Sequence, residues 1–299
     1  MNLFITGAGG FVGSELVRRL GEHASVRAVC LGRHPARAEL PPNIRWHAGD
    51  LLDAEAYRSH LEGCDLVLHL AALTGRASRQ DFIRVNVEGT RALVDASRRA
   101  GVSRFLYVSS IAAAFAGTRD YPYAESKQAA EEIVQTSGLR TLTVRPTIIL
   151  GPDSPLGAKL RTLAMAPVLV VFGDGRASIQ PIQVSDLAAI LISLIDEDRF
   201  AGEILDVGGP EDIGMEDFLR RVRTAAGRAT GPVLHVPVGP LRVLLRTFER
   251  ISTALVPFTA GQLSSFTQDG VARPALPPVD RHVRLRDMEE MIREMVADG

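Results

Sequence analysis

A chain of 299 residues with 46% hydrophobic and 23% charged residues can bury one large core, or one core with a smaller lobe beside it. Its formal net charge of −1 offers no basic footprint, so neither nucleic acid nor anionic lipid is expected as a partner. No apolar run reaches the ~20 residues that span a bilayer, and the longest candidate, 236–258, is interrupted by Arg242, Arg246, Glu249 and Arg250 and reads as an amphipathic helix.

In chain order, strands are predicted at 3–6, 26–31, 43–47, 66–70, 104–109 and 140–145, and helices at 12–20, 54–61, 82–100 and 123–136. Strands separated by helix-length segments imply parallel βαβ units, hence an α/β fold with a doubly wound parallel sheet. After Gly151 the rhythm loosens, and 202–207 followed by Gly208-Gly209-Pro210 reads as a last strand returning to the sheet. The expected division is a dinucleotide-binding domain, 1–150 plus about 182–210, and a smaller discontinuous C-terminal lobe, about 151–181 plus 211–299, with a proline-rich connector at 273–280. The start of the chain runs into the first strand without a signal-type segment, from which a cytoplasmic location is expected. Cys30 and Cys64 form no CxxC pair and no ligand set with the histidines; they read as reduced, strand-associated thiols, and no metal site is expected.

Thr6-Gly7-Ala8-Gly9-Gly10-Phe11-Val12-Gly13 follows the first predicted strand and opens the first helix. Glycines there permit a tight turn, close approach of a pyrophosphate, and packing of the helix on the sheet, while the helix N-terminus offers amide donors. No GxxxxGK[ST] occurs, which disfavours an ATP or GTP cradle. The TGxxGxxG spacing resembles the short-chain dehydrogenase/reductase superfamily, in its extended and atypical epimerase/dehydratase branch. That resemblance implies an NAD(P) cofactor touched by Gly7, Gly9, Gly10, Phe11, Val12 and Gly13. It further implies that Asp50 and Leu51 face the adenine, that Leu70, Ala71 and Ala72 lie beside a ribose, that Asn86 opens a helix near the cofactor, and that Pro146 sits in a turn near the nicotinamide. His69 reads as a satisfied core histidine, and Asp50 has the alternative role of capping its own turn. The second strand ends Gly32-Arg33 without an acidic residue for a ribose 2′-hydroxyl, so NADP(H) is preferred over NAD(H), with Arg33 or Arg37 meeting the 2′-phosphate.

Tyr123 and Lys127 stand four apart, on one helix face a turn apart, where the ammonium is expected to lower the phenol pKa. With only two lysines in the chain, a chance YxxxK is improbable, and a compact ammonium differs in kind from a guanidinium. Ser110, rather than Ser109, is expected to share the substrate oxygen with Tyr123, so the catalytic set is Ser110, Tyr123 and Lys127, with Tyr123 and Lys127 also touching the cofactor. Tyr121, out of phase with Lys127, reads as structural. Within the superfamily, Phe172-Gly173-Asp174-Gly175, Gln180-Pro181-Ile182 and 257–263 are most similar to the group related to the NAD(P)H-binding accessory subunit of respiratory complex I. Three functions compete: an oxidoreductase for a small, rather apolar carbonyl or alcohol; a nucleotide-sugar epimerase or dehydratase; and a non-catalytic accessory or redox-sensing protein. A small-molecule substrate is expected in the first two, and a homodimer is compatible with all.

Overall fold

The computed structural model describes residues 1–36, 39–249, 259–273 and 284–297. Seven strands, β1 (Asn2–Thr6), β2 (Arg27–Gly32), β3 (Ile44–Ala48), β4 (Leu66–His69), β5 (Arg104–Val108), β6 (Arg140–Pro146) and β7 (Glu203–Val207), form one parallel sheet ordered β7-β6-β5-β4-β1-β2-β3. The order reverses between β1 and β4, where Thr6 stands level with His69. In open α/β sheets this switch point is where ligands bind, outside the carboxyl ends of the strands.

Both faces are covered, which explains why β1 and β4 read as near-continuous apolar runs. Helices α1 (Phe11–Gly21) and α6 (Val184–Asp196) close one face over Leu3, Ile5, Leu66, Leu68 and Leu106. On the other, α2 (Ala54–Leu61), α3 (Gly89–Arg99) and α4 (Pro122–Gln135) pack on Phe4, Val67, Phe105 and Tyr107. The helix predicted at 82–100 runs without a gap from Arg79 to Arg99, but not as one regular α-helix: an α-helical turn at Arg79–Phe82 leads into a π-helical segment, Ile83–Glu88, before α3. There the Thr90 hydroxyl donates to the Asn86 carbonyl at 2.6 Å, the i−4 back-bond that perturbs a regular helix.

A second core gathers Leu150, Leu160, Leu169 and Ile179 with Phe218, Leu219, Met291 and Ile292. It is built from α5 (Pro155–Met165), α7 (Met215–Ala225) and α9 (Met288–Ala297). Arg223 is buried inside it and donates to the carbonyls of Ala164 at 2.9 Å, Ala166 at 2.6 Å and Ala229 at 2.6 Å, satisfying the end of α5 without a carboxylate. The Gln180-Pro181-Ile182 segment is a staple: Gln180 donates to Gly209 O at 2.7 Å and accepts from Ala272 N at 2.8 Å, joining the end of β7 to the C-terminal segment. Asp186, near the start of α6, accepts from the backbone and guanidinium of Arg286, each at 2.7 Å.

Three expectations are corrected here. The helix expected within 236–258 begins later than that stretch: Val236 still belongs to a strand, Val233–Val236, paired with Leu169–Phe172, α8 spans Val238–Glu249, and 250–258 lie outside the described residues. Cys64 sits in the turn after α2, not in a strand; only Cys30 is on a strand, where burial pushes its thiol up to about 12. Pro146 ends β6 rather than lying in a turn. Among the described residues, no helix is long and apolar enough to cross a membrane, and no three metal-ligating side chains cluster.

Candidate active site

The glycine-rich turn is held by its own backbone. Gly7 has φ +76°, a conformation that favours glycine, and its carbonyl accepts from Gly10 N at 2.9 Å. A Cβ on Gly13 would fall 2.1 Å from the Gly7 carbonyl oxygen, so the first turn of α1 sits directly against the loop. Helix α1 is preceded by Gly10 at its N-cap, with no side-chain cap and no acidic residue in its first turn, while Gly9 and Gly10 are exposed. An uncapped helix N-terminus beneath bare glycines at the sheet's switch point fits a dinucleotide pyrophosphate. Gly13→Ala must push the turn open; dinucleotide affinity by calorimetry is expected to fall at least about tenfold, with a loss of stability on the order of 1–3 kcal/mol. Unchanged affinity would remove the turn from the cofactor site.

Around this turn the expected contacts divide. Phe11 and Val12 are partly buried, Phe11 lying near Gly151 of the strand-to-lobe crossing. Leu70, Ala71 and Ala72 line the chain leaving β4, and Ala71 N donates to Thr6 Oγ1 at 3.3 Å. Asp50 is exposed and caps its own turn, accepting from Leu52 N at 3.0 Å, whereas Leu51 is buried beneath it. Arg33 is exposed and its guanidinium has no partner among the described residues; Arg37 lies outside them. Asn86 is buried, its Oδ1 accepts from Leu73 N at 2.7 Å, and its Nδ2 donates to Leu73 O at 3.1 Å and Ser126 Oγ at 2.9 Å. With both amide protons used, it clamps the loop after β4 to α4.

His69 is a core histidine with a defined tautomer. Because Thr90 uses its proton on Asn86 O, it must accept from His69 Nε2 at 2.8 Å; His69 Nδ1 then accepts from Thr6 Oγ1 at 2.6 Å. Burial, helped by the nearby Lys127 charge, pulls the imidazole down to about 3, so it stays neutral. The Thr6 and Thr90 partners escaped the sequence reading because they lie 63 and 21 positions away from His69.

Ser110 ends the extended segment after β5 and starts a 3₁₀ turn, Ile111–Ala114, accepting from Ala112 N at 3.2 Å. Its hydroxyl lies near enough to the Tyr123 phenol to oppose the rise in that phenol's pKa. The Oγ of Ser109, one residue earlier, is buried with no hydrogen-bond partner among the described residues. Tyr123 packs edge-on to Phe82 at 6.0 Å and beside Tyr121 at 5.8 Å, while Tyr121 is tied to Ser265 Oγ at 3.3 Å. The expected depression of the phenol pKa is corrected: burial and the neighbouring Tyr121 raise it above the usual value, opposed only by the nearby Ser110 hydroxyl. Lys127 instead donates to Val108 O at 2.8 Å and lies 4.3 Å over the Tyr107 ring. One turn further, buried Glu131 forms a bidentate pair with Arg145 at 2.6 and 2.8 Å. That pair locks α4 to β6, and sequence reading missed it because its partners lie 14 positions apart on different elements.

Residues 3–208 match the NAD dependent epimerase/dehydratase family. Ceramide reductase of Caulobacter vibrioides is 35% identical over 63% of this chain, and the match spans 59% of that protein. The 3 beta-hydroxysteroid dehydrogenase/Delta 5-->4-isomerase of Mycobacterium tuberculosis is 31% identical over 78% of this chain and 73% of its own length. Among solved structures, DesIV, a dTDP-glucose 4,6-dehydratase from Streptomyces venezuelae with NAD and TYD bound, overlays with a TM-score of 0.66 at 24% identity, covering 79% of this chain and 84% of that one.

Proposed function

We propose that this chain, which belongs to the NAD dependent epimerase/dehydratase family, is an NAD(P)-dependent oxidoreductase for an apolar alcohol or carbonyl substrate. The observation that carries it is the Ser110–Tyr123 hydroxyl pair, set beside buried Lys127 at the carboxyl end of β5 and on the same edge as the glycine-rich turn. A nicotinamide bound there supplies the hydride acceptor or donor. Tyr123, protonated because its pKa is raised, donates to the oxygen of a carbonyl being reduced, and Ser110 holds that oxygen against it. Lys127 keeps the helix face in register through Val108 O. Ile111, Ala112 and Ala113, buried between Ser110 and Tyr123, give the site an apolar flank, and the two relatives named above carry names of lipid-like or steroid substrates.

NADP(H) preference belongs to the same reading, on the ground of an exposed Arg33, with no partner among the described residues, where an acidic residue would select NAD(H). So do the division into a dinucleotide-binding part and a substrate lobe, a cytoplasmic location and a homodimer. The complex I-related subgroup gains no support from relatives that are reductases and dehydrogenases. The test is consumption of NADPH or NADH, followed optically, against sterol ketones, long-chain 3-oxo compounds, quinones and nucleotide sugars. Turnover confined to the apolar carbonyls is expected. Turnover with nucleotide sugars alone, or with nothing while the dinucleotide binds, overturns the proposal.

A further inference from the structure

Trp46 is the chain's single tryptophan, and its indole does not sit where its backbone does. On β3 it is level with Cys30 of β2, yet the ring leans toward the carboxyl end of the sheet. A Cβ on Gly32 would come within 2.1 Å of the ring, and one on Gly9 within 3.2 Å. Its Nε1–H donates to the His34 carbonyl at 2.8 Å. One side chain thus touches the phosphate-binding turn, the last residue of β2, and the turn that carries Arg33. The bare glycines at 9 and 32 are what admit it.

The end of β2 is where a dinucleotide's adenosine ribose lies once its pyrophosphate rests on the glycine-rich turn, and the residues following β2 meet the ribose 2′ position. We propose that Trp46 is a specificity-determining residue for the dinucleotide: its ring walls the 2′ side of the adenosine ribose, and its N–H fixes the His34 carbonyl so that Arg33 is presented to a 2′-phosphate. The inference rests on the cofactor reading above. Arg33 suits that task, being exposed and unpartnered among the described residues. A guanidinium on a loose turn must be ordered when the phosphate binds; a turn tethered by the indole has met that entropic cost beforehand.

As the sole tryptophan, Trp46 reports on its own surroundings. Titrating the full chain with NADP⁺ or 2′,5′-ADP is expected to change its emission, whereas nicotinamide mononucleotide, the other half of the cofactor, leaves it unchanged. By calorimetry, Trp46→Leu should weaken NADP⁺ at least about tenfold, the value of one charge-assisted contact, and NAD⁺ much less. Trp46→Phe, which keeps an aromatic wall but releases His34, should fall between the two. Emission that ignores bound NADP⁺, or a Trp46→Leu loss equal for both dinucleotides, overturns the inference. Should Trp46→Leu fail to fold, the wild-type fragment titration and Trp46→Phe decide. If the wild-type chain binds neither dinucleotide, the cofactor reading falls and takes this inference with it, an outcome recognisable before any variant is made.

Discussion

Tyr123→Phe lowers the rate of the chemical step by at least about 10²-fold, the usual effect of removing a general acid, while dinucleotide affinity stays within about twofold. The ring keeps its place, because Phe82 and Tyr121 hold it through its faces and edges rather than through the hydroxyl. Ser110 is not orphaned either, since its oxygen still accepts from Ala112 N at 3.2 Å. The thermal midpoint is therefore expected to move by no more than a few degrees, as for loss of one partly buried hydrogen bond. Burial raises the phenol pKa, so Tyr123 is in its donating form throughout the neutral range, and the reductive rate should show no phenol titration below about pH 9. Single-turnover kinetics of wild type and variant, with binding measured separately, check all three. Full turnover by Tyr123→Phe would assign the proton to another group; loss of turnover together with a collapse of folding would make Tyr123 a packing residue.

The scaffold was legible because its determinants are local. Buried parallel strands such as β1 and β4 advertise themselves as short apolar runs, the glycines of the phosphate turn sit at spacings that a tight turn requires, and Tyr123 and Lys127 share a face by helical arithmetic alone. What stayed hidden depends on contacts between distant segments. Asn86 is a helix-start residue in sequence, but the loop carrying Leu73 folds over it and takes its amide. The π-helical segment at Ile83–Glu88 leaves no mark in periodicity, since one extra residue in a turn is smaller than the tolerance of an apolar stripe. A tyrosine four residues from a lysine suggests a phenolate; only the depth of the site shows that the ammonium turns to Val108 O and that burial dominates the phenol. Ser109 and Ser110 are equivalent in sequence, and the alternation of an extended chain gives only one of them to Tyr123.

Lys127 carries the largest expected effect on stability, and its sign is fixed by burial. The side chain is 1% exposed, and burial takes its pKa from 10.5 down to about 7, with Glu131 one turn away pulling the other way. Between about pH 7 and pH 10.5 the unfolded chain therefore holds a proton that the native chain has released, so stability rises with pH across that window. Below about pH 7 both states carry the ammonium, and the folded state bears the full cost of burying it. In urea unfolding, wild-type stability should climb by a few kcal/mol from pH 7 to pH 10. Lys127→Met, with no charge to bury, should flatten that rise and abolish most turnover. Lys127→Arg keeps the charge but places a wide, planar, permanently protonated group in a slot closed by Val108 O and the Tyr107 ring. It should lose most turnover as well, destabilise the fold by about 1–3 kcal/mol through overpacking, and flatten the same pH slope, because a guanidinium does not titrate there. A slope that persists in both variants would place the titrating group elsewhere and leave Lys127 a buried ammonium that keeps its proton across that window.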